Sequence, residues 1–153
     1  MSEMRIRSDF WERYLDIVRD CLIPYQWGVL TDRIVCSTPS YAVRNFKIAA
    51  GAEEGEFSGF VFQDSDLYKW LEAVGNLLAY EKDPELERKA DEIIGYIAEA
   101  QEADGYLNTY FQLKEPEKKW SNLLECHELY CAGHLMEAAV AYARGTGKDR
   151  LLG

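Results

Sequence analysis

The sequence is poor in positive charge, with 17 lysines and arginines against 27 aspartates and glutamates, a formal charge of −10 at neutral pH. Such a surface repels phosphate backbones and anionic lipid, which argues against nucleic-acid or membrane-surface binding as the main role. Prolines number only four and glycines 11, which excludes a collagen-like or proline-rich chain. No apolar run approaches the roughly 20 residues that cross a bilayer. No apolar signal core follows Met1-Ser2-Glu3-Met4-Arg5, so a cytoplasmic location is the simplest expectation. The four cysteines, Cys21, Cys36, Cys126 and Cys131, form no CxxC pair. They read as reduced core thiols, with two disulfides as the alternative.

What is present is the composition of a globular protein, 48% apolar and 29% charged over 153 residues, one domain by length. The apolar spacing is helical through most of the chain. Phe10, Trp11, Tyr14, Leu15, Ile17, Val18 and Leu22 predict a helix from about Asp9 to Ile23, capped by Ser8 or Asp9 and stopped by Pro24. Tyr25 to Pro39 reads as loop, and Tyr41 to Ala50 as a short helix. Leu67, Trp70, Leu71, Val74, Leu77 and Leu78 make the stripe of a helix ending at Tyr80, with a run of caps before it. Asp83 and Pro84 are a cap and first-turn pair for the next helix, which carries Leu86, Ala90, Ile93, Ile94 and Ile97. So short a connection implies an antiparallel hairpin. Gly105 suits the left-handed position after that helix, and Tyr106 to Ser121 reads as a long aromatic loop. The last full helix is expected from Leu123 to Ala143, opened by an Asn122/Glu125 capping box.

The pattern of helix end, tight turn and helix start at Asn76–Leu86 recurs at Ala139–Leu151. Repeated helical hairpins build solenoids and α/α toroids. The fold class is therefore all-α, and the abrupt end suggests that residues 1–153 are the first part of a larger domain. An exposed apolar flank, and self-association through it, would follow.

Two segments carry candidate chemistry. His127 and His134 lie seven apart, which on a helix leaves them about 10 Å apart along the axis, too far to share one metal. His127-Glu-Leu-Tyr-Cys131 is similar to the HExxH zinc pattern with its second histidine replaced, so His127 and Cys131 make at most an incomplete zinc pair. The expected helical face of His127, Tyr130, Cys131 and His134 suits the wall of a polar cavity, although His134 also reads as a satisfied core histidine. In Phe62-Gln63-Asp64-Ser65-Asp66 the carboxylates can cap backbone amides. Alternatively, Gln63 and Asp64 can bind sugar hydroxyls while Phe62 or Trp70 stacks on the ring. Asp104 and Tyr106 offer the same combination.

The segments IPYQWG (Ile23–Gly28), GFVFQDSDLYKWLEA (Gly59–Ala73), AQEADGYLNTYF (Ala100–Phe111) and ECHELYCAGHLMEAAVAY (Glu125–Tyr142) closely resemble the β-L-arabinofuranosidase family, glycoside hydrolase family 127. The resemblance implies helical hairpins forming the N-terminal part of an (α/α)6 barrel, and retaining hydrolysis of terminal β-L-arabinofuranosides. It also implies a zinc ion held by a cysteine cluster and a glutamate, a zinc-bound cysteine nucleophile and a glutamate acid/base. In the family these lie downstream of the region matched, so no zinc and no activity are expected of this chain alone. By motif, His127 is similar to the family histidine that hydrogen-bonds the arabinofuranose, and Phe62 to an aromatic residue lining that pocket. Gln63, Asp64, Asp104 and Tyr106 extend the set from neighbouring motif positions. A helical-repeat module that binds a protein partner, without catalysis, is the alternative.

Overall fold

The computed structural model describes residues 8–34 and 37–153, so the expectation for Cys36 lies outside the described residues. Among these residues the fold is all-α, with no strand. Helix α1 spans Asp9–Ile17, a π-turn covers Val18–Leu22, and α2 follows at Ile23–Leu30. Then come α3 (Ala42–Ala49), α4 (Asp64–Tyr80), α5 (Pro84–Ala100), a short α6 (Thr109–Leu113), a 3-10 turn at Pro116–Lys118, and α7 (Glu128–Thr146). None of the helices is long and apolar enough to cross a membrane.

The stripes expected for α4 and α5 are the core. Leu67, Trp70, Leu71, Val74 and Leu78 are buried on α4, and Ala90, Ile93, Ile94 and Ile97 on α5. Between them Asp83 caps α5 as predicted, its Oδ1 accepting from the amides of Glu85 and Leu86 at 3.0 Å each. Helix α2 lies against α4 through Trp27, whose ring stacks on Trp70 with centroids 4.6 Å apart. The Trp70 indole donates to the Ile23 carbonyl at 3.2 Å, so this large buried side chain leaves no polar atom unpaired.

Helix α7 packs on α4 more closely than side chains permit. A Cβ on Gly75 would stand 2.5 Å from the Tyr142 amide nitrogen, and one on Gly145 would stand 2.1 Å from the Gly75 carbonyl oxygen. The backbones therefore touch, and only glycine fits at either position. Gly75 meets Tyr142, while Cys131 lies beside Ser65 near the other end. Both sequences thus advance in the same direction: α4 and α7 are parallel, with their N-termini at one end of the domain. Tyr142 also ties α7 to α5, its hydroxyl donating to Asp91 Oδ1 at 2.7 Å. Lys82 donates to the Gly145 carbonyl at 2.6 Å and satisfies an end-of-helix acceptor.

Several expectations need correction. Pro24 does not stop the first helical segment; the chain stays helical to Leu30, so Trp27 and Gly28 are not loop. The π-turn is the reason. The Ile23 amide bonds back to the Val18 carbonyl, a wider turn with room for the pyrrolidine ring. Ser8 holds the N-cap position of α1 without a side-chain cap bond, and α1 buries no residue. Helix α5 ends at Ala100, and Gly105, at φ +89°, serves the tight turn after it and not the helix cap. The expected loop from Tyr106 contains α6 and the 3-10 turn. Asn122 and Glu125 do bond as a box, the Glu125 amide donating to Asn122 Oδ1 at 3.1 Å, but they close an isolated turn. His127 follows at φ 58° and breaks the helix there, so α7 begins at Glu128. Cys126 is therefore not on the helix that carries Cys131, and Leu124, within the expected helix, is 89% exposed.

The backbone contact makes a direct prediction. Gly75→Ala or Gly145→Ala forces the two helices apart and costs about 1–3 kcal/mol or more by overpacking. Gly133, also on α7, has nothing within 4 Å of its Cβ direction. Gly133→Ala should instead raise stability by up to about 1 kcal/mol. Urea midpoints of the three variants decide; equal shifts would mean that the α4–α7 approach is not the constraint.

Candidate functional site

The shared end of α4 and α7 gathers the residues singled out from sequence. His127 is the N-cap of α7 at φ 58° and ψ 22°, a left-handed backbone that histidine tolerates better than most side chains. That conformation turns its ring toward the segment leading into α4. The ring lies 5.3 Å from Phe62, centroid to centroid, and 5.8 Å from Tyr130. Phe60 stacks on Phe62 at 5.3 Å with the planes 2° apart. Phe60 and Tyr130 are exposed, and Phe62 and His127 are half-buried, so ring faces and edges line one continuous surface.

The histidine tautomer follows from its partner. His127 Nδ1 is 2.6 Å from the Glu125 carbonyl oxygen, which can only accept. Nδ1 therefore carries a proton, and of the two neutral tautomers this contact selects the one with its lone pair at Nε2. A hydroxyl group can donate to it.

Asp64 and Gln63 face the protein. Asp64 is buried and accepts from the Thr109 amide at 2.8 Å and the Thr109 hydroxyl at 2.5 Å, fastening the start of α6 to the start of α4. Burial pushes its carboxyl up to about 6, with the two Thr109 bonds opposing the rise. Gln63 is buried too. Its Oε1 accepts from the Phe60 amide at 3.2 Å, and its Nε2 donates to Asp66 at 2.9 Å. Gly59, at φ +100°, holds a backbone conformation that strains any side chain, and a Cβ there would also lie 2.7 Å from Gln63 Oε1. Gln63 thus fixes the turn that presents Phe60 and Phe62.

Asp104 and Tyr106 sit on the neighbouring loop. Asp104 is exposed and accepts from the Tyr106 amide at 3.0 Å, a local turn bond. Tyr106 is buried and donates to Glu128 Oε1 at 2.5 Å. Burial, and then this bond to a carboxylate, hold its phenol well above the usual range. Glu128 was not singled out from sequence, yet it organises the loop. It is buried at the first position of α7, and it also accepts from the Trp120 amide at 3.0 and 3.1 Å. Its signal was present as an acid in the first turn of a helix, where the dipole favours one.

The structure thus brings His127 and Phe62 together and joins Phe60 and Tyr130 to them. Gln63 and Asp64 stand directly behind this surface, and Asp104 and Tyr106 belong to the loop beside it. His134 is not a satisfied core histidine. It is half-buried, and its Nδ1 lies 3.1 Å from Glu137 Oε2 without hydrogen-bond geometry. Cys21 is exposed, Cys126 half-buried and Cys131 buried, all as free thiols. Burial pushes the Cys131 thiol up to about 12. The described cysteines share no ligand cluster, so they do not fit a cysteine-rich zinc centre.

Residues 3–153 match the family described as β-L-arabinofuranosidase, GH127 catalytic domain. The chain is 44% identical, over 96% of its length, to a non-reducing end β-L-arabinofuranosidase of Bifidobacterium longum subsp. longum, of which it covers 25%. It superposes with a TM-score of 0.96 and 58% identity on a GH127 β-L-arabinofuranosidase of Geobacillus stearothermophilus T6, over 99% of this chain and 24% of that one. A second GH127 β-arabinofuranosidase matches with a TM-score of 0.84 at 29% identity, over 97% of this chain and 24% of that one. The chain therefore spans about a quarter of the length of these relatives.

Asp64 generates a pH prediction. Burial holds its carboxyl up at about 6, above the ordinary 3.8 of an aspartate in water, so the folded state holds the proton more tightly. Its contribution to stability is favourable at low pH and is lost as pH rises from about 4 to 6, a change on the order of 3 kcal/mol. Asp64→Asn keeps an acceptor for Thr109 and removes this titration. The stability difference, variant minus wild type, should climb across that window in urea unfolding from pH 4 to 7.5. Parallel curves would overturn the assignment.

Proposed function

Because the chain belongs to the β-L-arabinofuranosidase family GH127, we propose that it supplies one wall of a sugar pocket in a glycoside hydrolase of that type. In this reading residues 1–153 correspond to the N-terminal part of an (α/α)6 catalytic domain, and the ligand is a terminal β-L-arabinofuranoside. The observation that carries it is the juxtaposition of His127 and Phe62 at the shared helix end. A furanose has apolar C–H faces and a rim of hydroxyls. Phe60, Phe62 and Tyr130 offer ring surface for the first, and His127 Nε2 offers an acceptor for the second. Gln63, Asp64, Asp104 and Tyr106 serve this pocket by holding the 59–66 turn and the 104–121 loop in place.

In this reading the groups that cleave the glycosidic bond are not among these residues. Retaining hydrolysis needs a nucleophile and an acid/base about 5 Å apart across the anomeric carbon. The two buried carboxylates next to the rings, Asp64 and Glu128, have their oxygens engaged by Thr109, Tyr106 and Trp120. The zinc that the family resemblance implies finds no cysteine cluster among the described residues. A cytoplasmic setting belongs to the same reading, supported by the free thiols. The protein-interaction alternative is not favoured: His127, Phe62 and Asp64 on separate faces would have supported it, and the His127 and Phe62 rings meet.

The experiment is a titration with methyl β-L-arabinofuranoside followed by amide and ring NMR shifts. The expected result is shifts confined to Phe60, Phe62, His127 and Tyr130. They should be lost in His127→Asn, which retains a side chain tolerant of left-handed backbone. Shifts elsewhere, or undiminished in the variant, would defeat the reading. An aryl β-L-arabinofuranoside should not be turned over by this chain; turnover above background would overturn the placement of catalysis outside it.

A further inference from the structure

Further along the parallel α4–α7 pair, three metal-ligating side chains converge. Glu72 comes from α4, and His134 and Glu137, one turn apart, come from α7. One ligand atom from each lies within 4.8 Å of the others. Glu72 and His134 are half-buried, and Glu137 is exposed, which leaves a path from solvent.

Two carboxylates face each other on a protein of formal charge −10, and no lysine or arginine among the described residues pairs with either. Lys69, one turn before Glu72, is engaged otherwise: it donates to Ser65 Oγ at 3.2 Å, approaches Asp66 at 3.9 Å and lies 5.0 Å above the Tyr130 ring. The Tyr130 ring in turn packs edge-on against His134 at 4.5 Å and holds the imidazole in place. His134 Nδ1 is buried, has no hydrogen-bond partner, and lies 3.1 Å from Glu137 Oε2. A buried ring nitrogen beside an acceptor, without a bond to it, is a costly arrangement that a shared proton or a bound cation would relieve.

We propose that Glu72, His134 and Glu137 form a site for a divalent transition-metal ion of the zinc class, bridging α4 and α7. One imidazole and two carboxylates suit zinc, cobalt or nickel better than calcium or magnesium, which prefer oxygen alone. An ion about 2.0–2.2 Å from each donor needs the donors roughly 3.4 Å apart, a small rotamer adjustment from the present spacing. Three protein ligands leave a position for water. The site contains no cysteine, so it is separate from the cysteine-and-glutamate centre that the family resemblance implies, and it does not depend on the sugar-binding reading. Its effect is structural, a clip across the helix pair.

The test uses the chelator-treated chain. Calorimetric titration with zinc chloride should show one equivalent bound, and excess zinc should raise Tm by mass action. Cobalt(II) should give a visible spectrum without the ultraviolet charge-transfer band of a cobalt–thiolate bond. Glu137→Gln changes an exposed side chain and should leave the far-UV circular dichroism intact while weakening zinc at least tenfold. Glu72→Gln should do the same from the other helix. Binding undiminished in both variants, a thiolate band with cobalt, or no binding below millimolar zinc would each overturn the proposal.

Discussion

The structure depends on the backbone contact between α4 and α7. Two helices with ordinary side chains at their crossing stand about 8–10 Å apart. Here Gly75 and Gly145 remove the side chains, and carbonyl and amide groups of one helix meet those of the other. Small residues continue the approach, since Ala138, Ala139 and Ala141 are all buried on α7. Because the helices run parallel, the contact does more than fill the core. It places the residue before α7 beside the turn before α4, so His127 meets Phe62 across 65 positions of sequence. The same parallel register sets Glu72 opposite His134 and Glu137 further along the pair.

A second constraint divides the polar residues by what they bond. Buried polar groups must find partners, and Asp64, Gln63 and Glu128 each do so with more than one. Their partners are backbone amides or side chains of the 104–121 loop and the 59–66 turn. Carboxylates and an amide hold these two segments in place. The rings they present carry no such obligations, which leaves them free to meet a ligand. The division explains why acidic and amide residues close to a pocket need not point into it.

Local rules made part of this legible in the sequence. Asp83 followed by Pro84 gave the start of α5 because cap chemistry involves residues two or three apart. The stripes of α4 and α5 were clear because one face of each is fully buried. The failures share one cause, a partner or register that local spacing does not contain. Pro24 looked terminal because nothing nearby announces the π-turn that accommodates it. The Asn122–Glu125 box was real but belonged to a turn, since His127 in a left-handed conformation cuts it off from α7. Asp64 resembled a local cap, and its donor proved to be Thr109, 45 residues away. Glu128 escaped notice because its two donors come from Tyr106 and Trp120.

The left-handed backbone at residue 127 joins these points. Had the helix begun at Leu123, as its apolar residues suggested, residue 127 would carry helical dihedrals and its ring would follow the helix surface. Breaking the helix one residue before Glu128 does two things at once. It frees the Glu125 carbonyl to accept from Nδ1, which fixes the tautomer and leaves Nε2 as an acceptor. It also puts Glu128 at the first helical position, where the unpaired amides favour a negative charge and where it can hold Tyr106 and Trp120. The imidazole and the loop beside it are thus oriented by the same two residues, so the ring that faces the pocket and the carboxylate that anchors its rim cannot shift independently.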